Sequence, residues 1–152
     1  MSTVYEYRTT RHRIGELSAN IRSPRDTLPV LQHLLAGRES EALVVLALST
    51  KNAVIGAEVV YTGNVSAALV RVGELFRFAI RLNASGIIIA HNHPSGDPTP
   101  SPDDLHLTAQ CIAAGRLLDL PVLDHVIVGD GDQFVSMRDR GIEFDRLVKG
   151  AT

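Results

Sequence analysis

One short stretch of this 152-residue chain has the residue types and gaps that metal chemistry needs: His91-Asn-His-Pro-Ser-Gly-Asp-Pro-Thr-Pro-Ser-Pro-Asp-Asp104. In an extended segment residues i and i+2 point to the same side. His91 and His93 therefore present two imidazoles together where a buried strand ends. Alone, that spacing is a weak indication. The following helix supplies the rest: Ser101 is placed as its N-cap, Pro102 suits its first position, and Asp104 falls in its first turn. A carboxylate there can complete a two-histidine, one-aspartate ligand set for a single zinc ion. The fourth tetrahedral position is then left to water, as in catalytic rather than structural zinc sites. A purely local explanation competes. Ser101 and Asp104 resemble a capping box with Asp in place of Glu or Gln, and Asp103 and Asp104 both suit the positive end of a helix dipole. The cap suffices for the helix start alone, whereas the metal site also accounts for the histidines.

The elements that must position these residues alternate between strand-like and helix-like patterns, which predicts an α/β domain. Leu28, Leu31, Leu34 and Leu35 recur at helical spacing after the start signal Ser23-Pro24, with Pro29 tolerated in the first turn. Ala42–Leu48 is a continuous apolar run of strand length and reads as a central strand. After a turn at Thr50-Lys51-Asn52, residues 53–62 pair back. From Glu74 to Leu82, a helix presents Leu75, Phe76, Ala79, Ile80 and Leu82 on one face. Ile87-Ile88-Ile89-Ala90 is an apolar strand running straight into His91. A helix is expected from about Pro102 to Leu118, then an inner strand from Val122 to Val128. Asp130-Gly131 should turn the chain into a hairpin with Phe134–Met137.

His91-x-His93, seven residues, then Ser101-x-x-Asp104 has the spacing of the JAMM (MPN+) metalloprotease motif. The flanking wording, His-Asn-His-Pro-Ser-Gly-Asp-Pro with Pro100 and Ser101, resembles the RadC branch. The likeness continues in Leu123-Asp124-His125-Val-Ile-Val128 and Ser136. Upstream it reaches Ser23-Pro24 and residues 41–52, so that it covers roughly residues 20 to 140. The resemblance implies a three-layer MPN (JAB) fold, a mixed sheet with helices on both sides, related to the cytidine deaminases. It also implies an upstream glutamate. Glu41, immediately before the strand at Leu43, matches that position, with Glu39, Glu58 and Glu74 as competitors and a solvated strand-start residue as the plain alternative. In the implied chemistry, zinc lowers the pKa of its water toward ~7. Glu41 takes the water's proton and returns it to a leaving amine. Ser101 donates to the developing oxyanion. The implied substrate is a peptide or isopeptide amide.

The chain departs from the RadC pattern in two places. Nothing in it resembles the helix-hairpin-helix region that usually leads such proteins, so residues 1–152 are expected to form one domain. Arg71-Val72-Gly73 stands where the family has His-Pro-Arg before its glutamate-led helix, here Glu74. Asp124 and His125 either support the ligands from behind or are satisfied core residues. Asn92, Ser95 and Asp97 are expected to shape the loop.

Composition narrows the remaining options. Net charge is −2, and Arg8, Arg11 and Arg13 are too sparse for a phosphate-tracking surface. A nucleic-acid partner is suggested only by family association, and charge does not support it. Cys111, the one cysteine, excludes an internal disulfide and a thiolate cage, and its apolar neighbours predict a buried structural thiol. No apolar run approaches the ~20 residues of a membrane span, and no signal peptide is evident. A cytoplasmic location without membrane contact is expected. A homodimer is compatible with the sequence, though nothing in it encodes one. The rivals to a metallopeptidase are a metal-dependent nuclease and a non-catalytic protein-binding module. The nuclease reading is weak, because HNH nucleases spread their histidines much further apart. A zinc deaminase would need a second cysteine close to Cys111.

Overall fold

The computed structural model describes residues 1–6, 8, 10–13, 20–66 and 68–142. Residues 14–19 and 143–152, parts of the single domain expected over 1–152, lie outside the described residues. A 3-10 turn (Pro24–Thr27) leads into α1 (Leu28–Leu35), β1 (Ala42–Leu48), β2 (Val54–Thr62), α2 (Val72–Arg81) and β3 (Gly86–Asn92). Then follow α3 (Pro102–Leu117), β4 (Val122–Val128) and β5 (Phe134–Ser136). The strands form one sheet in the order β2-β1-β3-β4-β5. Only β3 and β4 run parallel. This is the expected mixed α/β sheet. Among the described residues, no helix is long and apolar enough to cross a membrane.

β1 and β3 are buried along their whole length because both sheet faces are covered. Alternation divides their side chains. Leu43, Val45, Ala47, Ile87 and Ile89 pack with Leu75 and Phe76 of α2 and Leu107 and Cys111 of α3. Val44, Leu46, Leu48, Ile88 and Ala90 pack against Leu28, Leu31 and Leu35 of α1 on the other face. Each fully buried aliphatic side chain stabilises the fold by about 1.5–3 kcal/mol. Helices on both faces make three layers, as the resemblance implies. Cys111 lies in the core as expected, and burial pushes its thiol up to about 12.

The hairpin at Asp130-Gly131 forms: β4 and β5 are antiparallel, and the Gly129 N–H donates to the Gln133 carbonyl at 2.8 Å. Gly131 supplies the left-handed backbone (φ 56°) that the turn requires. α2 differs from expectation in two ways. It starts at Val72, two residues before Glu74, with no side-chain cap. The Val-Gly pair hides that start because both are poor helix formers. Ile80 and Leu82, expected on its inner face, are 54% and 36% exposed, while Leu75, Phe76 and Ala79 are buried.

α3 carries a glycine in its interior for a steric reason. A Cβ on Gly115 would lie 2.6 Å from the Leu120 carbonyl oxygen, in the backbone leading to β4. Gly115→Ala should therefore destabilise the protein by about 1–3 kcal/mol through overpacking, although alanine is the better helix former by about 1 kcal/mol. Urea unfolding tests this. An unchanged or raised midpoint would show that α3 can move away from β4 at no cost.

Candidate metal centre

β3 delivers the two histidines where it leaves the sheet. His91 pairs with Leu43 of β1 and is fully buried, while the side chain of His93, just past the strand, is 13% exposed. The loop beyond folds back on itself. Gly96, in a left-handed conformation (φ 88°), donates to the His93 carbonyl at 2.9 Å and accepts from the Asp130 N–H at 3.0 Å. A side chain at Gly96 would collide with the Asp130 carboxylate, so the loop is clasped to the β4–β5 hairpin. Asp97 Oδ1 accepts from the Thr99 N–H at 3.0 Å and hydroxyl at 2.7 Å, and Ser95 Oγ accepts from the Asp97 N–H at 3.3 Å. These are the expected turn bonds.

Ser101 then caps α3. Its Oγ accepts from the Asp104 N–H at 3.1 Å, and its own N–H donates to Asp104 Oδ2 at 2.8 Å. The same carboxylate meets both histidines. Oδ1 lies 3.1 Å from His91 Nε2, and Oδ2 lies 3.1 Å from His93 Nε2. The two Nε2 atoms are 3.0 Å apart. The cap and a ligand set are thus compatible, since one carboxylate caps the helix and also faces both histidines.

Hydrogen-bond partners assign the protons on the rings. His93 Nδ1 faces the Asp97 carbonyl at 2.8 Å, which can only accept, so Nδ1 carries a hydrogen. Behind His91 a chain runs to helix α3. His91 Nδ1 lies 2.8 Å from His125 Nε2, His125 Nδ1 lies 2.6 Å from Thr108 Oγ1, and the Thr108 hydroxyl donates to the Asp104 carbonyl at 2.6 Å. That carbonyl is a stronger acceptor than the Met137 sulfur, 3.1 Å from the same hydroxyl. With its proton committed, Thr108 must accept from His125 Nδ1–H. Complete burial holds the His125 pKa well below its ordinary value, so the ring is neutral and its Nε2 accepts from His91 Nδ1–H. In the neutral tautomers that these bonds select, His91 and His93 each turn an Nε2 lone pair toward Asp104.

Three electron-pair donors facing one another repel unless a proton or a metal ion lies between them. A proton can serve one contact. The Asp104 hydrogen bond raises the His93 pKa against the opposing effect of burial, helped by the Asp97 carbonyl and the charges of Asp104 and Glu41. Burial pushes the Asp104 carboxyl upward, but the His91, His93 and Ser101 contacts outweigh it and hold the group well below the carboxylate range. A divalent metal would satisfy every contact. One donor atom each from His91, His93 and Asp104 lies within 4.8 Å of the others, a set that could hold a metal ion. The imidazole–carboxylate chemistry of the donors fits zinc.

Glu41 lies one step before β1. The Leu43–His91 register puts it on the sheet face that carries the His91 side chain. It is half-buried, Oε2 accepts from the Val65 N–H at 2.6 Å, and its charge is felt by His93. Its competitors stand elsewhere. Glu39 is exposed, Glu58 pairs with Val45 on edge strand β2, and Glu74 sits beside Arg71 at 3.9 Å.

Sequence reasoning missed two residues here. Thr108 showed no signal beyond following Asp104 by one helical turn. Asn92 does not shape the loop as expected; its side chain bonds the start of β1. Asp124 points to the other sheet face. Its carboxylate accepts from the Ser136 hydroxyl (2.6 Å) and the His125 and Arg138 N–H groups (2.7 and 3.1 Å), and so pins the end of β5. His125 is the member of that pair that bonds His91.

Comparison with known proteins identifies the family. The family model described as RadC-like JAB domain matches residues 21–142. A "UPF0758 protein" of Roseiflexus castenholzii is 52% identical over 130 residues, which is 86% of this chain and 55% of the relative. One from Roseiflexus sp. (strain RS-1) is 50% identical over 126 residues, 83% of this chain and 54% of the relative. One from Methanosarcina mazei is 37% identical over 128 residues, 84% of this chain and 56% of the relative. The chain spans about half the length of these relatives. By this match, and in keeping with its mixed α/β fold, the chain belongs to the RadC-like JAB domain family.

Proposed function

We propose that this chain is a zinc-dependent hydrolase of the JAMM type, acting on a peptide or isopeptide amide. The observation that carries the reading is the convergence of His91 Nε2, His93 Nε2 and the Asp104 carboxylate beside Glu41 and Ser101. His91, His93 and Asp104 would hold the metal. Zinc, when bound, supplies Lewis acidity and lowers the pKa of a coordinated water.

The chain's own residues do the rest. The His125–Thr108 chain fixes the orientation of His91, and the Asp97 carbonyl fixes that of His93, so neither ring must reorganise to present Nε2. Glu41 takes up the proton of the attacking water on its carboxylate and delivers it to the leaving amine. The Val65 N–H holds one carboxylate oxygen, Oε2. Ser101 Oγ accepts from the Asp104 N–H and keeps its own proton free to donate to the oxyanion that forms on the amide carbonyl. An intact donor set with the glutamate beside it favours a competent site over a purely protein-binding module. A panel of amide, lysine-isopeptide and phosphodiester substrates distinguishes a peptidase from a nuclease.

The reading predicts three outcomes. His93→Ala should lose most bound zinc by metal analysis while staying folded, since the core does not depend on the metal. Full occupancy at unchanged affinity would contradict the ligand assignment. Glu41→Gln should keep zinc and thermal stability but lower turnover of an accepted amide by about 10² or more, whereas Glu39→Gln, Glu58→Gln and Glu74→Gln should leave turnover largely intact. An unchanged rate for Glu41→Gln would remove the proposed base. Proton and metal compete for His93 Nε2, and its pKa is raised. Zinc affinity should accordingly weaken as pH falls through that raised pKa. A competition titration showing pH-independent affinity across the imidazole range would contradict a histidine-held ion.

A further inference from the structure

Asn92 stands between the two ligand histidines in sequence, yet its buried side chain turns away from them. Its Oδ1 accepts from the Ala42 N–H at 2.7 Å, and its Nδ2 donates to the Ser40 carbonyl at 3.1 Å. Those two backbone groups flank Glu41. The regular β1–β3 ladder reaches only the Leu43–His91 pair, and the carboxamide extends it one step further, a side-chain amide standing in for a peptide. Beyond that step, Glu41 is held from the other side. Its carbonyl accepts from the Gly63 N–H at 2.9 Å, and its carboxylate accepts from the Val65 N–H at 2.6 Å. Register matters at this point, because a slip of one residue would turn the Glu41 side chain to the opposite face of the sheet.

We propose that Asn92 is a positioning residue for Glu41: its carboxamide ties the segment that carries the base to the strand that carries both metal ligands. Placement of the carboxylate relative to His91 and His93 is then set by β3 directly, and not only through the pairing of the β1 start with β2. The chemistry suits asparagine, which offers one acceptor and one donor. An aspartate would keep the acceptor for Ala42 but set a carboxylate oxygen against the Ser40 carbonyl. The role in catalysis rests on the reading of Glu41 as base, whereas the positioning itself can be measured without metal or substrate.

The test is residue-resolved amide hydrogen exchange on the metal-free protein and on Asn92→Ala. Protection at Ala42, Gly63 and Val65 should fall by about tenfold or more, roughly the worth of one buried hydrogen bond. Val44 and Leu46, deeper in the ladder, should change by less than about twofold, because their bonds do not involve Asn92. Should the alanine variant fail to fold, Asn92→Asp carries the test, with Ala42 still protected while Gly63 and Val65 lose protection. Affinity for Zn2+ alone should stay within about threefold, since neither ligand contacts the carboxamide. Uniform acceleration along β1, unchanged exchange at Gly63 and Val65, or a zinc affinity that collapses with the substitution would overturn the proposal. Loss of protection at those amides together with an inactive-base result for Glu41 would instead uphold the positioning and remove the catalytic reading.

Discussion

Between His91 Nε2, His93 Nε2 and the Asp104 carboxylate there are three electron-pair donors, and the hydrogen-bond pattern around them leaves room for few protons. That shortage governs the end of β3. Each ring has spent its Nδ1 hydrogen on an acceptor behind it, so neither ring can relax the crowding by exchanging tautomers. Water hardly reaches the corner, where His91 is fully buried and Asp104 is 2% exposed. An arrangement that would repel itself in isolation becomes favourable when a cation sits among the donors. The supporting bonds thus prepare the centre before any ion arrives.

The fold builds this corner with economy of parts. β3 ends where α3 begins, so one loop brings strand-borne imidazoles against a helix-borne carboxylate. Asp104 closes the helix start by accepting the Ser101 N–H at Oδ2, and it faces His91 with Oδ1 and His93 with Oδ2. β4, parallel to β3, contributes His125 from within the sheet, and Thr108, one turn along α3, connects that histidine back to the Asp104 carbonyl. Both ligand-bearing elements are therefore tied to each other through a neutral imidazole. Gly96 lets the loop lie against the β4–β5 hairpin, where any side chain would strike Asp130.

Much of this was legible in the sequence, and the illegible parts share a cause. The clustering of His91, His93 and Asp104 could be read because strand and helix periodicities place i and i+2 imidazoles and a first-turn carboxylate predictably. The apolar runs of β1 and β3 could be read because both faces of those strands are buried. Thr108 and Asn92 could not, since their partners are a carbonyl, an amide and an imidazole brought near only by the topology. α3 shows little amphipathic pattern, because its buried face includes Asp104, Thr108 and Gly115 while Leu105 and Leu117 are exposed. Asp124 and His125, adjacent in sequence, part company for the reason that governs all strands: neighbours point to opposite faces.

The central claim is that two imidazoles and one carboxylate are prearranged for a single metal ion. X-ray absorption at the zinc edge, on protein loaded with one equivalent of Zn2+, examines that claim most directly. The account predicts a four-coordinate shell of nitrogen and oxygen at about 2.0–2.2 Å, with the multiple-scattering signature of two imidazoles and no sulfur. A sulfur shell from Cys111, a single imidazole, or the spectrum of hydrated zinc would contradict it.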